Sequence, residues 1–117
     1  FGPLHSRMAT IAGQPLGWFH YYLDSDGMAT LLQIAARPRS VGDVLLALYR
    51  DAWNNGAVAV SGRSEPWLMP AVLNAGEVFV FQGPWTLLHS RHPRLVEMIE
   101  GGEGYLSRLD GEWWLSF

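Results

Sequence analysis

Three apolar runs of strand length open the chain, and then the period changes. The first, Arg7 to Ala12, ends at Gly13-Gln14-Pro15, a turn composition. The second, Leu16 to Leu23, holds Trp18, Phe19, Tyr21 and Tyr22, and aromatic enrichment over so short a run favours a strand. Asp24-Ser25-Asp26-Gly27 breaks it with the Asp-Gly step of a hairpin turn. The third, Met28 to Ala36, carries Leu31, Leu32 and Ile34. Together the three predict an antiparallel meander.

Next, Val41, Val44, Leu45, Leu48, Tyr49 and Ala52 recur at the spacing of one helical face, with Asp43, Arg50 and Asp51 on the polar side. Ser40 is the expected N-cap, Asp43 stands in the capping-box position, and Gly56 after Asn54-Asn55 is the expected stop. The short apolar run Ala57 to Ser61 follows, so strand, helix and strand form a crossover that places its two strands parallel. A second helix is predicted over Pro66 to Ala75, with Pro66 in its first turn and Pro70 limiting its regularity. Val78–Phe81 and Trp85–His89 predict a hairpin around Gln82-Gly83-Pro84. Pro93 to Glu100 predicts a third helix, opened by Ser90 or His92 and ended by Gly101-Gly102. The tail from Tyr105 to Phe117 turns at Asp110-Gly111, as a hairpin or an extended strap. The expected class is α/β (α+β): a mixed, mainly antiparallel sheet flanked by helices.

Composition narrows the function. A length of 117 residues fits a single domain over 1–117, and 49% apolar residues against 16% charged supply a core. All eight basic residues are arginines, scattered from Arg7 to Arg108, and the net charge is −3. A nucleic-acid partner needs a dense basic face, so none is expected. With no cysteine, a disulfide framework and a thiolate zinc site are excluded. No apolar stretch approaches membrane-spanning length and no signal peptide is visible. A cytoplasmic setting with no membrane partner is the simplest expectation. The chain opens on Phe1 rather than Met and reads as a fragment or processed product.

Chemistry concentrates in Leu32 to Leu46: a strand, the Pro-containing turn Arg37-Pro38-Arg39, then Gly42 within the first helical turn. A helix start offers unpaired amides and the positive end of the dipole, where a diphosphate can sit. A glycine there lets the backbone approach a ligand, and Arg37 and Arg39 could add fork-shaped contacts. The bland alternative is an ordinary strand-to-helix connection with a capping serine, and arginines that are merely solvated.

At this segment the chain resembles the GNAT superfamily of acyl-CoA-dependent N-acyltransferases. Their loop, Gln/Arg-x-x-Gly-x-Gly/Ala, opens the main helix and cradles the pyrophosphate of coenzyme A. Arg39-Ser40-Val41-Gly42-Asp43-Val44 matches the Arg and the first Gly and departs at Val44. Val72-Leu73-Asn74-Ala75-Gly76-Glu77-Val78-Phe79 is similar to a later landmark, the helix that ends in a Gly-Phe-like step. The order of elements over most of residues 7–91 carries the resemblance further than either motif. It implies an acetyl-CoA or other acyl-CoA co-substrate, with Ile34, Ala35 and Ala36 along the pantetheine arm. Arg37, Arg39, Val41, Gly42, Asp43 and Val44 would then lie around the pyrophosphate. The family's first strand and first helices would precede Phe1.

No catalytic residue is assigned. The position of the family's frequent tyrosine acid holds Val72, and the polar residue nearest its strand-borne glutamate is Gln33. Those departures keep a second reading open: a silent GNAT-like interaction module, dimerising through an exposed sheet edge. A third reading is a fragment that is active only with an absent segment. His20, among aromatics, is expected in a core or an interface rather than as a base. His89 and His92 lack a third metal ligand and read as a turn or helix start, and His5 as part of a disordered end. Glu65 and Glu112 carry no motif. Trp67, Trp85, Trp113 and Trp114 would either fill the core or line a cleft for an acyl arm.

Overall fold

Strand pairing extends the predicted meander at its start. In the computed structural model, which describes residues 2–76, 90–101, 103 and 104, β1 spans Leu4–Ile11, β2 Gln14–Leu23 and β3 Met28–Ala36. β1 begins at Leu4 rather than Arg7 because Leu4, His5 and Ser6 pair with Tyr22, Tyr21 and His20. Cross-strand partners stabilise a segment whose own composition is neutral. The first turn is Ala12-Gly13 (φ 47° and 78°), the two-residue hairpin geometry that needs positive φ at both positions. Gln14 and Pro15 therefore belong to β2. In the second turn Asp24 Oδ1 accepts the amides of Asp26 and Met28, both at 2.9 Å.

α1 spans Val41–Asn54 and β4 Ala59–Ser61. The sheet order is β1-β2-β3-β4, with two antiparallel pairings and then a parallel one across the α1 crossover. α2 is Met69–Ala75 and α3 Pro93–Glu100, with His92 as the α3 N-cap. The expected start of α2 moves from Pro66 to Met69. The Glu65 carbonyl accepts the amides of Leu68 and Met69 (2.9 and 3.0 Å), making a turn of residues 66–68. Pro70, not Pro66, then occupies the first helical turn, where a missing N–H is harmless. The expected hairpin over 78–89 and the tail 105–117 lie outside the described residues. Among the described residues no helix is long and apolar enough to cross a membrane.

α1 covers one face of the sheet. Val44, Leu45, Leu48 and Ala52 join Phe19, Tyr21, Ala29, Leu31 and Ile34 in the core. Val41 and Tyr49, on the same predicted stripe, are half-buried. Gly17 makes this closeness possible. A β-carbon there would collide with the Ala35 carbonyl oxygen and stand 2.8 Å from Val44 Cγ2. The opposite face carries Leu4, Ser6 and Met8 of β1 beside Tyr22, His20 and Trp18 of β2. There His20 Nδ1 lies 2.9 Å from Ser6 Oγ and its ring centroid 4.9 Å from that of Trp18. His20 thus faces outward rather than into the core.

Candidate functional site

The site begins where the sheet stops being continuous. β4 pairs with β3 only from Met28 to Thr30, opposite Ala59 to Ser61. Beyond Ser61 the chain leaves the ladder, while β3 runs on to Ala36 with β2 on its other side. Among the described residues, the C-terminal half of β3 therefore has no strand on the β4 side. Arg37 donates its amide to the Leu16 carbonyl at 2.9 Å, which fixes the alternation. Ala35, like Arg37, turns its main chain toward β2. Ala36, next to Ala35, turns its main chain away from β2. A bulge opposite His20 and Tyr21 marks the same level of β3, and bulges gather beside functional sites.

At the mouth of this gap stands the start of α1. Ser40 donates its own amide to the Arg37 carbonyl (2.8 Å), and Val44 donates to the Ser40 carbonyl (3.0 Å). Among the described residues, nothing accepts the amides of Val41, Gly42 and Asp43. Ser40 is the N-cap but makes no side-chain cap bond. Three parallel donors are thus left facing solvent at the positive end of a 14-residue helix. Arg37 and Arg39 are exposed just before them. Val44, grouped with these residues on sequence, is fully buried and its amide is taken, so it supports the helix from below. A β-carbon built on Gly42 meets nothing within 4 Å.

From the same point a groove of about 560 Å³ runs between α1 and α2. Pro38, Val41, Gly42, Leu45, Leu46 and Tyr49 form one wall, and Trp67, Pro70, Ala71 and Asn74 the other. Trp67 lines this groove and also packs against the core. Trp85, Trp113 and Trp114 lie outside the described residues, as do His89 and Glu112. No metal-binding cluster of His, Asp or Glu occurs among the described residues. Sequence reasoning named Glu65 only as a carboxylate without a motif, yet it is 9% exposed and lies 3.3 Å from Arg63 Nε through its Oε1. Burial raises its carboxyl above the usual carboxylate range, and Arg63 partly opposes that shift. The available signal was a charged pair, Arg63-x-Glu65, directly after a strand.

No family model matches the sequence, and no curated protein matches it. Solved structures do share the fold. TTHA1254 from Thermus thermophilus superposes with a TM-score of 0.57 at 21% identity, covering 74% of this chain and 73% of that one. The aminoglycoside N-acetyltransferase AAC(6')-Iy, solved in complex with CoA, gives 0.51 at 19% identity, covering 74% and 77%. The aminoglycoside acetyltransferase meta-AAC0020, from an uncultured soil metagenomic sample and in complex with sisomicin, gives 0.50 at 12% identity, covering 73% and 66%. The chain shares the fold of these structures, an α+β arrangement with a mixed four-stranded sheet and three helices among its described residues.

Proposed function

We propose that this domain binds an acyl-CoA and transfers its acyl group to an amine. The observation that carries the reading is the set of three unpaired amides at the start of α1, beside Ala36, where β3 has run on past the end of its pairing with β4. The amides of Val41, Gly42 and Asp43 hold the pyrophosphate, helped by Arg37 and Arg39. The pantetheine arm then runs down the edge of β3, adding a peptide-like strand that pairs with Ala36. That AAC(6')-Iy was solved in complex with CoA supports the same ligand on this fold. Catalysis then consists largely of holding amine and thioester together.

Isothermal titration with CoA and acetyl-CoA tests the reading. Binding in the micromolar range is expected, with at least a tenfold loss in the Arg37→Ala, Arg39→Ala double variant. No heat and no thermal shift at millimolar CoA overturns it.

A second reading rests on the described sheet ending at β1, with Leu4, Met8 and Ile11 exposed at 52%, 65% and 57%. Such an edge pairs readily with another copy of itself, giving a homodimer. Light scattering should report a dimer that Met8→Lys dissociates while CoA binding stays unchanged. A monomer at every concentration removes this reading and leaves the first intact.

A further inference from the structure

Among the described residues the fold leaves one buried side-chain polar atom unanswered, Nε2 of His5. His5 sits in β1, opposite Tyr21, on the side of the sheet that α1 covers. Its ring lies flat on Tyr21, with centroids 4.7 Å apart and planes within 6°. Tyr21 is fully buried, so that side of the imidazole is sealed. Nε2 is shut off from solvent and has no hydrogen-bond partner among the described residues. A neutral imidazole tolerates this. It carries its proton on Nδ1 and turns the lone pair of Nε2 inward, and an unused acceptor is a smaller loss than an unused donor. An imidazolium cannot do the same, because both of its nitrogens bear N–H.

The charged and titratable groups around the ring come from three elements. Tyr21 of β2 lies against it. Arg7 stands two residues along β1 on the same face, roughly 7 Å away. Asp51 of α1 lies beyond the Tyr21 hydroxyl, with both oxygens engaged: Oδ2 accepts that hydroxyl at 2.8 Å and Oδ1 holds Arg7 Nε at 3.0 Å. The Asp51 charge is thus already met, and Arg7 would repel a second cation. A charged ring on Tyr21 gains a cation–π contact, but a charged donor without an acceptor loses more.

We propose that His5 is an acid-sensitive latch on β1: when its ring takes up a proton from solvent it leaves Tyr21, and the first rungs of the β1–β2 ladder open. The inference is independent of the acyl-CoA reading. The rungs concerned run from Leu4 opposite Tyr22 to Arg7 opposite Phe19. Their opening frees the outer edge of β2 and parts Arg7 from Asp51, so α1 loses a tie to the sheet. Free histidine titrates near about pH 6.5. The released strand binds the proton and the closed strand refuses it. Stability is therefore complete above that pH and is lost as pH falls through it.

The test compares urea unfolding of the whole chain at pH 7.5 and pH 5.5 with that of His5→Phe, which keeps a flat ring on Tyr21 and cannot charge. The unfolding constant of the parent should rise about tenfold more than that of the variant, the full effect of one histidine that protonates only when released. Glu65, raised by burial, acts in the opposite sense but is common to both proteins and cancels in the comparison. Hydrogen exchange gives the local readout. Protection of the β1 amides, corrected for the intrinsic effect of pH, should fall in the parent at pH 5.5 and hold in His5→Phe. His5→Gln covers the case where His5→Phe folds poorly: it should start less stable at pH 7.5 and show the same flat response to acid. His20→Gln, altered on the opposite face, should respond as the parent does. The inference is overturned if His5→Phe and His5→Gln weaken in acid as much as the parent, or if His20→Gln removes the response instead. It is also overturned if β1 protection falls no further in the parent than in His5→Phe.

Discussion

Gly17 and Gly42 are absent side chains with different causes. At Gly17 the fold demands the absence, because a methyl would press on the Ala35 carbonyl and the Val44 side chain. Gly17→Ala should lower stability by about 1–3 kcal/mol, a fall in Tm of roughly 5–15 °C by calorimetry. At Gly42 the fold demands nothing, since a methyl there meets no atom within 4 Å. Alanine in a helix is favoured over glycine by about 0.5–1 kcal/mol, so Gly42→Ala should leave Tm unchanged or raise it. If the glycine serves a diphosphate that approaches the backbone, the same variant should weaken CoA binding about tenfold or more. Stability and affinity moving in opposite directions separate a ligand cradle from a plain loop. A parallel loss of both would show that Gly42 serves the helix alone. At Glu65 burial raises the carboxyl, so ionising it in a desolvated site opposes folding at neutral pH, and Glu65→Gln should not lower Tm at pH 7.

At the scale of elements, β3 and α1 were legible to the residue, and the reason is periodicity. Met28–Ala36 is a mostly apolar run between turn signals, and the α1 stripe repeats over three turns between Ser40 and Gly56. β1 was read short because Leu4-His5-Ser6 carries no pattern of its own and becomes strand only through Tyr22, Tyr21 and His20. The start of α2 was misread because two prolines compete for the first turn, and the winner is set by the Glu65 carbonyl. The β3–β4 parting was invisible, since it depends on how soon a three-residue strand stops pairing. The strand-to-helix loop that opens α1 was therefore placed from sequence. The early end of the β3–β4 pairing beside it was not.

Asp51 shows the whole molecule overruling a local pattern. Sequence places it on the polar face of α1, yet it braces the helix to two strands. Tyr21, completely buried, donates its hydroxyl to Asp51 Oδ2 at 2.8 Å, and Arg7 of β1 reaches Oδ1 at 3.0 Å. Asn55 Nδ2 donates to the Tyr21 oxygen at 3.2 Å, and the His5 ring stacks on Tyr21 at 4.7 Å. The brace lies at the C-terminal end of α1, far along the helix from the open amides of its first turn, so the two ends serve different tasks. Burial first, then the hydrogen bond to Asp51, pushes the Tyr21 phenol up from 10.0 to about 12. A raised folded value means that this stabilisation is complete below pH 10, the unfolded value, and fades as pH climbs through about 12. Two units correspond to at most ~3 kcal/mol. Urea unfolding between pH 8 and 11.5 should therefore show the midpoint falling steeply above pH 10. Tyr49, also raised by burial, adds to the slope in the same sense. Tyr21→Phe should start less stable at pH 8, because Asp51 and Asn55 lose a partner, and should then show a shallower alkaline decline. If the variant declines as steeply as the parent, the alkaline sensitivity belongs elsewhere, and the Tyr21–Asp51 brace does not set the upper pH limit of this fold.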